Sequence, residues 1–362
     1  MWPYWLAFAL PSILALRYMG ERTPTASAAR MGKWPALWWA VFVWLSLMVG
    51  LREQVGGDWF NYIDHITRAA GTPFSEAFSD KDLTYSLVNW CAAQTAYGIY
   101  IVDSAAAVLF SWGLVVFCRM QPRPWLALVV AIPYLVVVVA MGYTRQGVAI
   151  GLAMLGLVAL GQGRMIAFVV WVVFAATWHK SAVILIPLAL MAGGRNRLWT
   201  LLWVILAGGL MFVLLVQESF DALTTNYIGA KYDSAGAGIR VAMNALPAVV
   251  FLLFRRRFGL SPREQTFWTW MSGAALFFVL LLKVSPSSTA VDRLALYWIP
   301  IQVFVWSRMP KALDMPGPAN AVGVIGVIAY SAAVMLVWLN FADNAFAWIP
   351  YSFYPSVLFW AE

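Results

Sequence analysis

Between Arg52 and Tyr62 the chain reads Arg-Glu-Gln-Val-Gly-Gly-Asp-Trp-Phe-Asn-Tyr. Gly56 and Gly57 permit a tight turn, after which Asp58, Trp59 and Tyr62 share a helical face. A carboxylate beside two aromatic rings suits a sugar: the rings stack on its apolar face and the acid accepts from its hydroxyls. The plainer alternative is that Asp58 caps the following helix and pairs with Arg52. Further clusters follow at Tyr143-Thr144-Arg145-Gln146-Gly147, at Trp178-His179-Lys180-Ser181, at the glycine-rich stretch 233–238 leading to Arg240, and at Asp292-Arg293 with Tyr297. A guanidinium is planar, permanently charged and forked, so arginines gathered at an apolar wall suit a phosphate or pyrophosphate joined to something greasy. His179 could take a proton from an attacking sugar hydroxyl, or could be a histidine hydrogen-bonded for structure. Asp292 reads either as the ion-pair partner that positions Arg293 or as a second acid/base. Residues 233–238 read as a mobile lid.

What must position these residues is a membrane bundle. The 362 residues are 62% hydrophobic and 11% charged, at a mean hydropathy of +0.76. A soluble chain carries roughly a quarter charged residues, so the solvent here is lipid. The 21 Trp fit rings that collect at the membrane interface. A crossing needs about 20 apolar residues, and runs of that kind fall at 2–19, 34–51, 101–118, 125–141, 144–161, 165–177, 181–192, 198–217, 240–254, 264–283, 291–307 and 319–341. The pair 165–177 and 181–192 is short, which implies either a locally thinned bilayer or a turn at 178–180 that dips below the membrane surface.

Residues 83–100 decide the topology. They are apolar but interrupted by Thr84, Ser86, Asn89, Gln94 and Thr95, and are assigned to the interface as an amphipathic helix. Counting them as a span would carry the loop of Arg119 and Arg123 to the wrong side. With twelve crossings, 15 of the 24 basic residues and three of the 16 acidic ones share one side, the cytoplasmic side by the positive-inside rule. Both termini then lie outside, with the outer segments 52–100, 218–239 and 342–362. The expected fold is all-α: one polytopic transmembrane domain over residues 1–362. The clusters above fall at outer ends of spans, where ionisable residues are functional candidates by default.

Several function classes are excluded. Two cysteines supply neither a disulfide framework nor a metal-ligand set, and Cys91 and Cys118 fall near opposite faces. There is no P-loop, no HExxH and no GxSxG. The cytoplasmic arginines match anionic headgroups and need no nucleic acid. Charges at one face, with nearly uncharged mid-span regions, fit a transporter of lipid-linked sugars less well than an enzyme.

The order Arg52-x5-Asp58-Trp59-x2-Tyr62, Arg145-Gln146, Trp178-His179-Lys180-Ser181, Asp292-Arg293-x3-Tyr297 and Trp348-Ile349-Pro350-Tyr351-Ser352 resembles the EpsG family of exopolysaccharide proteins, related in role to Wzy-type polymerases of O-antigen. The resemblance covers most of the chain. It implies a bacterial inner-membrane glycosyltransferase that joins repeat units carried on undecaprenyl pyrophosphate at the periplasmic face. Donor and acceptor are both lipid-linked; a chain-length regulator and export machinery are possible partners; the expected plan is GT-C-like. Arg145, Arg240 and Arg293 would hold the pyrophosphate, with Asp58 or His179 deprotonating the acceptor, Arg52 fixing Asp58 or touching the donor, and Gln146, Tyr297 and Tyr351 lining the site. The first outer loop lacks a paired acidic motif, so no metal or cofactor is expected. The alternatives are a flippase and a glycan ligase with the same donor.

Overall fold

A computed structural model describes residues 1–19, 33–77, 82–187, 236–285, 287–313 and 318–355. Among these residues the regular structure is helical, apart from an isolated antiparallel bridge between Arg52 and Phe353. The elements are α1 (Trp2–Arg17), α2 (Ala36–Gly50), α3 (Trp59–Ala70), α4 (Phe74–Ala77), α5 (Leu83–Ala93), α6 (Ile99–Arg119), α7 (Pro124–Ala131), α8 (Thr144–Gly161), α9 (Met165–Trp178), α10 (Ala237–Phe254), α11 (Pro262–Val284), α12 (Ser288–Ala295), α13 (Pro300–Ala312) and α14 (Pro318–Phe341). Short 3-10 segments follow α9 at Lys180–Leu185 and α14 at Ala345–Trp348.

Among the described residues five helices are long and apolar enough to cross a membrane, beginning at Ile99, Thr144, Ala237, Pro262 and Asn320. The apolar window of α8 is 83% buried inside the protein, whereas those of α11 and α14 are 33% buried. Thus α8 is the central post, and the outer helices turn most of their apolar surface to the surroundings. Glycine permits the tightest contact: a Cβ on Gly151 of α8 would stand 2.6 Å from Phe110 Cα of α6, so small residues let the two backbones touch. Helix starts follow local chemistry. Ser261 caps α11 by accepting from Glu264 N at 3.3 Å while its own N–H donates to Glu264 Oε2 at 3.1 Å, a reciprocal box.

The apolar run 125–141 is one continuous helix that changes pitch, α7 running on as a π-helix over Ile132–Ala140. Pro133 lacks an N–H for the ordinary ladder, which accounts for the wider turns there. The expected interfacial helix is shorter than 83–100. It ends at Ala93, and α6 begins at Ile99 after a turn. α5 packs against α3, α6 and α9. The expected run 198–217 lies outside the described residues, as do residues 188–192 of the run 181–192, nearly all of the segment 218–239 and the first half of the lid 233–238.

The C-terminal segment straps the first loop to the bundle. Gly56 N–H donates to Ala347 O at 2.8 Å, Glu53 N–H to Ser352 O at 3.0 Å, and Tyr354 N–H to Leu51 O at 2.8 Å. Trp348 donates its indole N–H to Val137 O at 2.7 Å and receives the Tyr4 hydroxyl on its carbonyl at 2.7 Å. The start of α1, the first loop and residues 345–354 therefore meet at one end of the bundle. At the other end Arg123 donates to Asn320 Oδ1 at 2.6 Å and to Met19 O at 3.3 Å.

Candidate active site

The first loop is anchored by Arg52, which is fully buried. Its guanidinium pairs with Asp103 of α6 at 3.0 Å and donates to Thr144 Oγ1 at 2.8 Å, Val55 O at 3.0 Å and Val49 O at 2.5 Å. Thr144 closes the network by donating to Asp103 Oδ1 at 3.1 Å. The expectation that Arg52 fixes Asp58 or meets the donor is corrected: its partner is Asp103, and every direction of its fork is occupied by protein. Nor does Asp58 cap α3 through its side chain. Trp59 is also placed differently from the sugar-stacking expectation. Its ring is 2% exposed, 5.5 Å from the Arg52 guanidinium and 6.1 Å from Tyr100, so it is a wall of the core.

Above this anchor, the polar stripe of α3 faces a cavity of about 240 Å³. Asp58, Asn61, Tyr62, Asp64, His65 and Arg68 line one side of it; Arg145 from the start of α8 and Arg293 from α12 complete it. Tyr62 packs edge-on to Tyr85 at 6.2 Å, and burial pushes its phenol above the ordinary tyrosine value. Arg68 bonds Asp64 O at 3.2 Å and meets His65 Nδ1 at 3.2 Å. Arg293 is exposed to the cavity, and Gln146 Nε2 donates to its backbone carbonyl. Among the described residues Arg68 and Arg293 have no carboxylate within ion-pair distance.

Behind Arg145 stands Asp82, a residue the sequence did not single out. Arg145 Nη1 lies 3.0 Å from Asp82 Oδ2 and its guanidinium is 5.2 Å from the Tyr85 ring. The Lys180 N–H reaches Asp82 Oδ1 at 3.3 Å, and His179 Nδ1 lies 3.8 Å from Oδ2. Burial pushes the Asp82 carboxyl up, but His179, the Arg145 guanidinium and the Lys180 N–H together hold it below the usual carboxylate range. His179 is extended, ending α9 before the 3-10 turn. It does not line the cavity; it reaches it through Asp82 and Arg145.

Arg240 and Asp292 form a second station. Arg240 Nε and Nη2 donate to the two Asp292 oxygens at 2.7 and 2.6 Å, a fork-to-fork pair joining α10 to α12. One turn along α10, Asn244 donates to Ala295 O at 2.8 Å and accepts from Gln302 at 2.7 Å. This pair holds Arg293 by holding the helix that carries it, and Arg240 is not among the cavity's lining residues. Tyr297 is buried and donates to His179 O at 3.5 Å. Tyr351 donates to Met48 O at 2.9 Å and packs edge-on to Tyr4 at 5.5 Å, as part of the C-terminal strap.

Of the residues singled out from sequence, Asp58, Tyr62, Arg145 and Arg293 share the cavity. Gln146, His179, Arg240, Asp292 and Tyr297 stand behind it, while Arg52, Trp59 and Tyr351 belong to the scaffold. Asn61, Asp64 and His65 were missed and Arg68 was an outer arginine given no role in the site, although 58, 61, 65 and 68 recur at the three-to-four-residue spacing of one helix face. The arrangement can bind an anion between arginines and offer a carboxylate and an amide to hydroxyls beside it.

The family model described as the EpsG family matches residues 36–353. No curated protein and no solved structure gives a match.

Proposed function

The chain belongs to the EpsG family, and from that membership and the arginine-bearing cavity under α3 we propose a membrane polysaccharide polymerase that joins oligosaccharide repeat units carried on undecaprenyl pyrophosphate. The observation that carries the reading is the meeting of Arg68, Arg145 and Arg293 with Asp58 in one polar cavity at one end of an apolar bundle. A diphosphate flanked by a lipid and a sugar needs that combination: forked cations for its oxygens, polar groups for the sugar, and apolar helices for the chain.

In this mechanism the three arginines hold the diphosphate of the growing donor and stabilise the charge that develops on it, the task a divalent cation performs in many glycosyl transfers. Arg68 takes the place in the clamp expected of Arg240, whose fork is already filled by Asp292. Asp58 takes the proton of the acceptor hydroxyl. The acceptor oxygen bonds the anomeric carbon as the bond from that carbon to the diphosphate oxygen breaks, and the electron pair leaves with undecaprenyl diphosphate. Asn61 and Tyr62 orient the sugar.

The basic loops at the opposite end support a twelve-crossing arrangement with both termini and the cavity on the periplasmic side, and the family resemblance supports a GT-C-like plan in a bacterial inner membrane. The test is purified protein given a defined pyrophosphate-linked repeat unit. A ladder of products is expected, insensitive to EDTA. A single addition means a ligase, and no new glycosidic bond means a carrier; either would overturn the polymerase reading.

A further inference from the structure

Arg145 differs from the other cavity arginines in having a resident carboxylate. Its Nη1 is 3.0 Å from Asp82 Oδ2, and its own side chain is 34% exposed against 8% for Asp82. The same Asp82 oxygen stands 3.8 Å from His179 Nδ1, beyond hydrogen-bond reach. That ring nitrogen is buried and makes no hydrogen bond. One carboxylate oxygen is thus shared between a cation that faces the cavity and an imidazole nitrogen held just short of bonding.

A doubly charged diphosphate in the cavity competes with Asp82 for Arg145. When the guanidinium turns to the ligand, Asp82 stays buried with the Lys180 N–H on its other oxygen. An uncompensated buried carboxylate is strongly unfavourable. A closure of about 1 Å would bring His179 Nδ1 to charge-assisted hydrogen-bond distance, and a protonated imidazole there would cancel the orphaned charge.

We propose that Asp82 and His179 form a proton-linked counter-ion store for Arg145: binding of a lipid-linked diphosphate transfers Asp82 from Arg145 to a protonated His179, so binding is coupled to proton uptake. The inference rests on the reading of the cavity as a diphosphate site. The proton comes from solvent, resides on the imidazole while ligand is bound, and returns on release; no covalent bond changes. Asp82 is a positioning residue that acts through Arg145. Of the other groups around His179 and Asp82 among the described residues, Tyr85 on α5 has its phenol pushed above the ordinary value by burial. Tyr297 offers its hydroxyl to the His179 carbonyl, and Lys180 adjoins in the chain with contacts of its own.

The experiment is calorimetric binding to the full chain in lipid nanodiscs, in buffers of different ionisation enthalpy between about pH 6 and 8. The probe is a short-chain alkyl glycosyl diphosphate diester, which has no ionisable proton near neutrality. Wild-type protein is expected to take up a proton on binding, with affinity falling by up to about tenfold per unit as pH rises. H179Q should bind without uptake and with a flat profile. D82N, relieved of the competitor for Arg145, should bind more tightly and also without uptake, whereas D82E should restore uptake. Binding by wild type without uptake, or uptake that survives in folded H179Q, overturns the inference and leaves the diphosphate cavity standing. Failure of wild type to bind the probe overturns both.

Discussion

Replacing Arg52 with methionine separates a scaffold arginine from a substrate arginine. The side chain is fully buried and Asp103 is 1% exposed. In R52M the carboxylate of Asp103 keeps the Thr144 hydroxyl at 3.1 Å and loses its counter-ion. Removing one member of a buried pair costs about 3–5 kcal/mol, and the carbonyls of Val49 and Val55 lose their donors as well. Melting of the purified protein in detergent should fall by on the order of ten degrees. The double variant R52M/D103L removes both charges and should regain roughly half of the loss, because the two carbonyls stay unpaired at about 1 kcal/mol or more each. Chain growth in both variants should track the folded fraction. A variant R52M that melts like wild type yet makes no polymer would place Arg52 in contact with substrate and refute this reasoning, as would a double variant no more stable than the single.

Arg293→Ala removes a cavity cation with no carboxylate to orphan, so melting should be unchanged while kcat falls about 10²- to 10³-fold; Arg293→Lys should recover part of it, because an ammonium lacks the fork. Asp292→Asn breaks the pair that joins α10 to α12 and should lower both melting and chain growth, a joint loss that distinguishes it from Arg293→Ala. Asp82 gives a pH signature in melting. Its folded carboxyl sits below the ordinary value, so the stability it contributes is present above about pH 4 and is lost as pH falls through the depressed folded value. Asp82→Asn should flatten that acid limb, and an unchanged limb would remove Asp82 as its source.

Most of the helical frame was legible in the apolar runs, because a stretch of uncharged residues bounded by charges, Gly or Pro has few other ways to satisfy its backbone in lipid. Thr144–Gly161 coincides with its run to the residue, with Arg145 at its start; the run 291–307 is instead broken at Leu296–Trp298, so Asp292-Arg293 lie near the end of α12 and α13 begins at Pro300. Pairing was not legible. Asp103 sits near the start of an otherwise apolar run and was not singled out; its pairing with Arg52 depends on how the loop after α2 folds back. Trp59 illustrates the same limit. Its place beside Asp58 was visible, but the side of α3 it occupies was fixed by Arg52 beneath it. Asp82 lies 63 residues from Arg145 in the chain, and nothing local marks it as a partner.

The arginines at this end of the bundle divide by what they touch at rest, and the division follows from charge balance. Arg52 and Arg240 each hold a carboxylate on a neighbouring helix. They therefore fix α6, α8, α10 and α12 relative to one another, with their forks turned to protein carboxylates. Arg68 and Arg293 hold none, and Arg145 is shared between Asp82 and the cavity. The guanidinium groups of Arg68, Arg145 and Arg293 gathered around about 240 Å³ would repel one another; Asp58 and Asp64 on the α3 wall and Asp82 behind Arg145 offset that repulsion. An entering diphosphate brings two further negative charges to a site close to neutral. On the proposed reading it is held tightly when a resident anion gives up its arginine, and among the described residues Asp82 has a second partner able to take up charge, the His179 imidazole, at 3.8 Å. On that reading the scaffold pairs preorganise the clamp, and exchange of the Arg145–Asp82 pair makes it receptive.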